Sequence, residues 1–212
     1  MNAKLAAARA ALAVAEDRLG ISSARTDGYA VPRYLSAVFP RGVVKGQAYV
    51  ASGSPMLPYL LAGAAAQAGA WVAMVGIGNV SWSATDACGI ERERLAYIPH
   101  VDSFGPQVIS ALVDSFDVLL VGEVGMSSRQ ARSLERRVRS RGKVVIAPRW
   151  PEGENVSMHL ASVEGLRDGR GHISSMDYDI SSQFGHVRVS YARGVWAEKP
   201  NFGYSPLEVV RA

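Results

Sequence analysis

Five short runs of the chain are apolar almost without interruption: Ala48-Tyr49-Val50-Ala51, Trp71-Val72-Ala73-Met74-Val75, Leu95-Ala96-Tyr97-Ile98, Asp117-Val118-Leu119-Leu120-Val121 and Lys143-Val144-Val145-Ile146-Ala147. A strand with one wet face alternates apolar and polar residues, so these runs read as strands covered on both faces, which is the mark of a parallel sheet. Helix-like stretches at 56–68, 83–88, 104–115 and 127–141 separate them, and strand and helix in alternation give βαβ units and a doubly wound sheet. After Pro151 the pattern changes. Val156 to Leu166, His172 to Ile180 and Gly185 to Ala192 read as strands joined by short loops, hence as antiparallel hairpins. The fold class is therefore α/β, a mostly parallel doubly wound sheet finished by antiparallel hairpin strands.

The ends of the chain read differently from its middle. Ala-rich residues 3–19 predict a helix stopped by Gly20, with Leu5, Leu12 and Leu19 seven residues apart. That thin stripe serves either packing on the domain or a helix–helix contact with a partner or a second copy. Ser22 to Tyr29 reads as a linker. Residues 193–212 hold Pro200 and Pro206 among Trp196, Phe202, Tyr204 and Leu207, and read as a tail whose rings either dock in a partner's groove or pack back on the sheet. The expected division is 1–28 helix and linker, 29–192 core domain, and 193–212 tail.

A chain of 212 residues that is 48% hydrophobic suits one such domain. Charged residues interrupt the first twenty, which excludes a signal peptide, and no run reaches the ~20 apolar residues of a membrane span, so a cytoplasmic protein without membrane attachment is expected. One cysteine, Cys88, rules out an internal disulfide and a thiolate metal cluster. The net charge of +4 permits attraction to nucleic acid without requiring it.

Catalytic machinery is sought first at the carboxyl end of the first strand, where a glycine-rich turn presents N–H groups to phosphates. That turn reads Ser52-Gly53-Ser54-Pro55-Met56-Leu57-Pro58. It lacks the lysine and second glycine of G-x-x-x-x-G-K-[ST], and its prolines remove two donors. The fourth strand runs into Gly122, with Glu123 one residue beyond the place for a metal-binding acid, and Gly76-Ile77-Gly78-Asn79 after the second strand offers no carboxylate to activate water. Three absences together argue against ATP hydrolysis and against a nucleotide cofactor, with weak nucleotide binding at Gly53 and Ser54 the residual exception. His100 and Asp102 lack a nucleophile elbow, and His159, His172 and His186 lack metal-ligand spacing.

One charged pattern remains. Arg129, Arg132, Arg136 and Arg139 fall on one face of the helix from Ser127, opposite Ala131, Leu134 and Val138. A solvated face, a DNA phosphate contact and an acidic partner surface all fit it.

The order of these elements resembles a known family. Phe39-Pro40-Arg41-Gly42-Val43-Val44 resembles the entry to RecA-family cores. Gly53-Ser54 before a Leu-rich helix, Gly69-Ala70-Trp71-Val72-Ala73-Met74-Val75-Gly76, Gly89-Ile90 leading to Glu93-Arg94-Leu95-Ala96-Tyr97-Ile98-Pro99, Ala131-Arg132-Ser133-Leu134, Trp150-Pro151, Glu164-Gly165-Leu166 and Gly169-Arg170-Gly171-His172 resemble the ImuA-prime proteins of the ImuA and SulA group, over residues 33–192. Val163 stands where that pattern carries a tryptophan. The resemblance implies a RecA-like domain without catalytic residues, an accessory subunit of a damage-induced translesion complex. Its partner would be an ImuB-type inactive Y-family polymerase homologue, and through it an error-prone C-family polymerase and the sliding clamp. A SulA-like inhibitor of a cell-division GTPase and a DNA-binding RecA-like protein are the alternatives.

Overall fold

The computed structural model describes residues 28–167 and 170–199. The predicted helix at 3–19, with Leu5 and Leu12, and the tail residues Phe202, Tyr204 and Leu207 lie outside the described residues.

Two short strands come first, β1 (Gly28–Tyr29) and β2 (Val43–Val44), paired antiparallel, so the end of the expected linker is tied to the domain. Then follow β3 (Ala48–Gly53), α1 (Met56–Gln67), β4 (Val72–Val75), α2 (Trp82–Ala87), β5 (Leu95–Ile98), α3 (Gly105–Ser115), β6 (Val118–Val121), α4 (Ser128–Arg141), β7 (Val144–Ala147), β8 (Glu154–Arg167), β9 (Arg170–Ser182), β10 (His186–Ala192) and β11 (Val195–Glu198). Their sheet has the order β11-β10-β9-β8-β3-β7-β6-β4-β5. All pairings from β8 to β5 are parallel, and those from β8 to β11 are antiparallel. The predicted α/β sheet, parallel in its core and antiparallel at its C-terminal side, is what the chain forms.

The central apolar runs are buried because both faces of the parallel sheet are covered, whereas β5, at the edge of the sheet, is half-buried along its whole length. Every residue of β4, β6 and β7 is buried. On one face Tyr49, Met74, Leu120, Ile146 and Met158 pack under α1. On the other, Ala73, Leu119 and Val145 pack under Ile109 and Val113 of α3 and Leu134 and Val138 of α4. Helix α4 is well delimited. Ser127 and Gln130 form a reciprocal capping box at its start, and Gly142, in the left-handed conformation, ends it. Among the described residues no helix is long and apolar enough to cross a membrane.

Residues 195–198, read as the beginning of a tail, form the last strand, antiparallel to β10. Arg193 and Gly194 both take positive φ, 52° and 82°, which is the geometry of a two-residue type I′ hairpin loop. Arg-Gly is not the Asn-Gly that usually marks such a turn, and the prolines downstream made the whole segment look unstructured. The folded sheet therefore runs past residue 192.

Candidate functional site

At the phosphate-loop position, β3 ends in Gly53 with φ +84°. Strand β8 runs alongside to that point, pairing Gly53 with Met158, and the Ser54 N–H donates to the Met158 carbonyl at 2.7 Å. A Cβ on Gly53 would lie 2.2 Å from the same oxygen. The Met56 N–H is taken by Ser54 Oγ and the Leu57 N–H by the Ser54 carbonyl. Donors that would face a phosphate are thus engaged within the chain. The end of β6 is equally closed. Gly122 N–H donates to the Val75 carbonyl, and a Cβ at 122 would sit 2.1 Å from the Gly76 carbonyl oxygen, so no acidic side chain fits there. Glu123, next in line, points to an exposed position beside α4.

The four histidines are all exposed and scattered. His159 lies across from Asp179 on β9, and both carboxylate oxygens of Asp179 are held by Arg188 at 2.7 Å. Those bonds hold the Asp179 carboxyl below the usual carboxylate range. Cys88 is buried, and burial pushes its thiol up to about 12, so it stays protonated and unreactive.

An open apolar face lies on the antiparallel side of the sheet. Val163, Met176, Tyr191 and Trp196 stand directly opposite one another across β8, β9, β10 and β11. Beside them Leu160 is paired with Tyr178. Trp196 packs on Tyr191 and Tyr178, with ring centroids 4.8 and 5.8 Å away. Met176, Tyr178, Tyr191 and Trp196 form one wall of a cavity of about 220 Å³, and Met56 of α1 with Ala84 and Ala87 of α2 forms the other. Leu160, and farther out on the long hairpin of β8 and β9 Leu166 and Ile173, are about half exposed. Apolar surface on a row of adjacent strands is what a partner's side chains can cover. Among the predicted partner contacts, Trp196 is thus part of this row rather than of a free tail. The row itself was not predicted. Its signal in the sequence was the period-two pattern Val187, Val189, Tyr191 continuing through Trp196 after the Arg-Gly turn.

The arginine row sits elsewhere, on the outer face of α4. Arg129, Arg132, Arg136 and Arg139 are all exposed, and Ala131, Leu134 and Val138 are buried beneath, as the spacing predicts. Arg139 pairs with Glu135 and Glu152 at 3.5 and 3.9 Å. Among the described residues the other three have no acidic partner.

A family model described as the MT3502 N-terminal domain matches residues 37–152, more than half of the chain. The chain belongs to the MT3502 N-terminal domain family. A comparison with curated proteins finds no match. The part shared with the family runs from the approach to β3 through the loop after β7 and includes the arginine row and the closed phosphate-loop turn. Strands β8 to β11, with the open apolar face, lie beyond it.

Proposed function

We propose that this chain is a RecA-like adaptor without catalytic activity that binds an ImuB-type protein in the cytoplasm and so brings an error-prone C-family polymerase and the sliding clamp to damaged DNA. The observation that carries the reading is the phosphate-loop turn. In a nucleotide-hydrolysing domain of this architecture that turn is open and rich in free N–H groups. Here the Met158 carbonyl of β8 takes the Ser54 N–H, Ser54 itself takes those of Met56 and Leu57, and Gly122 leaves no room for a metal-binding acid. Support for the RecA-like assignment comes from the placement of the first long strand inside a parallel sheet that ends in antiparallel hairpins, together with the resemblance at Phe39 to Val44 and at the terminal hairpins. The open row on β8 to β11 is a surface suited to protein contact, and tethering would raise the polymerase's effective concentration at a stalled end.

The test is a pull-down of an ImuB-type protein with the full chain, a chain ending at residue 199, and the double variant Val163→Asp/Tyr191→Asp. Capture by the full chain and a loss of at least tenfold in the double variant, with an unchanged circular-dichroism spectrum, supports the adaptor reading and its surface. Capture that survives in the double variant but not in the shortened chain moves the contact to residues 200–212. Absence of capture, together with filamentation of cells that overproduce the protein, would replace this reading by a SulA-like division inhibitor.

A further inference from the structure

We propose that the outer face of α4 is a nucleic-acid backbone site, at which Arg129, Arg132 and Arg136 bind consecutive phosphates without reading sequence. The six arginines of α4 fall into two groups. Arg137 and Arg141 are paired with Asp114 of α3, and Arg139 with Glu135 and Glu152. Arg129, Arg132 and Arg136 have no carboxylate partner among the described residues. Helix α4 holds a single acidic residue, Glu135, placed three positions after Arg132 where it could neutralise it. The fold turns it the other way. Glu135 is buried, and its carboxylate accepts a hydrogen bond from the indole Nε1 of buried Trp150. Glu135 is thus committed to Trp150 and Arg139, and three guanidinium groups without a carboxylate partner among the described residues stand along about 10 Å of helix. At physiological salt the screening length is about 8 Å, so neighbours in this row repel. A ligand with its own closely spaced negative charges relieves that repulsion.

Arg149, exposed just after β7, adds positive charge near the start of α4. It lines a cavity of about 490 Å³ with Ser128 and Ala131 of α4's first turns, so a fourth cation stands at the helix's N-terminal end. Glu123 lines the same cavity and is the acid that an approaching phosphate would meet there. The ligand class follows from what the face lacks. Helix α4 carries no aromatic residue, so there is no platform on which unpaired bases could stack. Charge without stacking suits the regular phosphate array of a duplex better than a single strand. This inference does not depend on the proposed protein partner, and its test uses the purified chain alone.

The experiment measures binding of a fluorescein-labelled 20-base-pair duplex and of the matching single strand, by anisotropy, across a salt series. Expected is duplex binding whose log–log salt slope shrinks by about 1.8 in Arg132→Glu/Arg136→Glu, since each lost phosphate contact removes about 0.9. At fixed salt the affinity should fall at least tenfold. The matched variant Arg33→Glu/Arg170→Glu changes exposed arginines elsewhere by the same total charge and should keep most of the slope. Thermal melts confirm that both variants fold. Equal losses in the two variants would reduce the effect to net charge and overturn the site. Tighter binding of the single strand would overturn the duplex assignment, and displacement of the duplex by poly-glutamate at equal charge would assign the face to an acidic protein.

Discussion

Glu154 shows how a single residue in this fold is set against its surroundings. It opens β8 with 8% exposure, between Gln47, which donates to one carboxylate oxygen, and the apolar floor formed with Tyr49. The other carboxylate oxygen is buried without a hydrogen bond. Burial pushes its carboxyl above the usual range, more than the Gln183 hydrogen bond and the nearby Arg41 pull it down. A carboxyl whose folded-state pKa is raised destabilises the fold wherever it must ionise, so its cost is full above the folded value and disappears as pH falls toward the unfolded value near 4. Glu154→Gln should therefore raise the urea midpoint at pH 7 to 8, and the gain should shrink steadily as the pH is lowered to 4. Paired urea titrations across that range measure it, and a gain independent of pH would mean that packing, not ionisation, is responsible. Nothing in the sequence marks Glu154 as buried, since it follows Glu152-Gly153 in what reads as a polar loop.

At the scale of elements, α1 was legible and its environment was not. Residues 56–68 read as a helix, but the run Ala62-Gly63-Ala64-Ala65-Ala66 gives no face, because the helix is buried nearly all round. The reason lies at Gly63. A Cβ there would stand 2.1 Å from the Cys88 carbonyl oxygen at the end of α2, so the small residues exist to let α2 close on α1. Gly63→Ala tests this with two opposed terms. Alanine gains about 1 kcal/mol of helix propensity, while forcing a methyl against backbone costs roughly 1–3 kcal/mol or more. The steric term should win, lowering the melting temperature by roughly 2–8 °C in a domain of this size. A rise in melting temperature would show that α2 yields freely. The five core strands were readable because each is apolar along its whole length. The row Val163, Met176, Tyr191 and Trp196 was not, because its members are neighbours only through pairing between strands, and two irregularities in the β8–β9 register shift which residues share a face.

For the molecule as a whole, the anchoring of Lys199 decides how any truncation must be read. Lys199, just after β11, donates its N–H to the Arg188 carbonyl, and its ammonium pairs with buried Asp177 and with Glu164. Burial pushes the Asp177 carboxyl up, but hydrogen bonds from Lys199, Ser162 and Ser190 outweigh it and hold the group below the usual carboxylate range. Cutting the chain after residue 192 would remove β11 and Trp196, strip Tyr178 and Tyr191 of their ring contacts, leave Asp177 without its cation and turn β10 into an unprotected edge. Loss of a large, partly buried aromatic side chain alone costs roughly 2–4 kcal/mol. A chain ending at 192 should therefore melt well below the full protein and elute as larger species in size-exclusion chromatography with light scattering. A chain ending at 199 should match the full protein in both measurements. If the two shortened chains behaved alike, β11 would contribute nothing to the fold, and loss of partner binding on cutting at 192 could be assigned to the tail. If they differ as argued, that loss would report a damaged sheet, and only the cut after 199 isolates what residues 200–212 contribute.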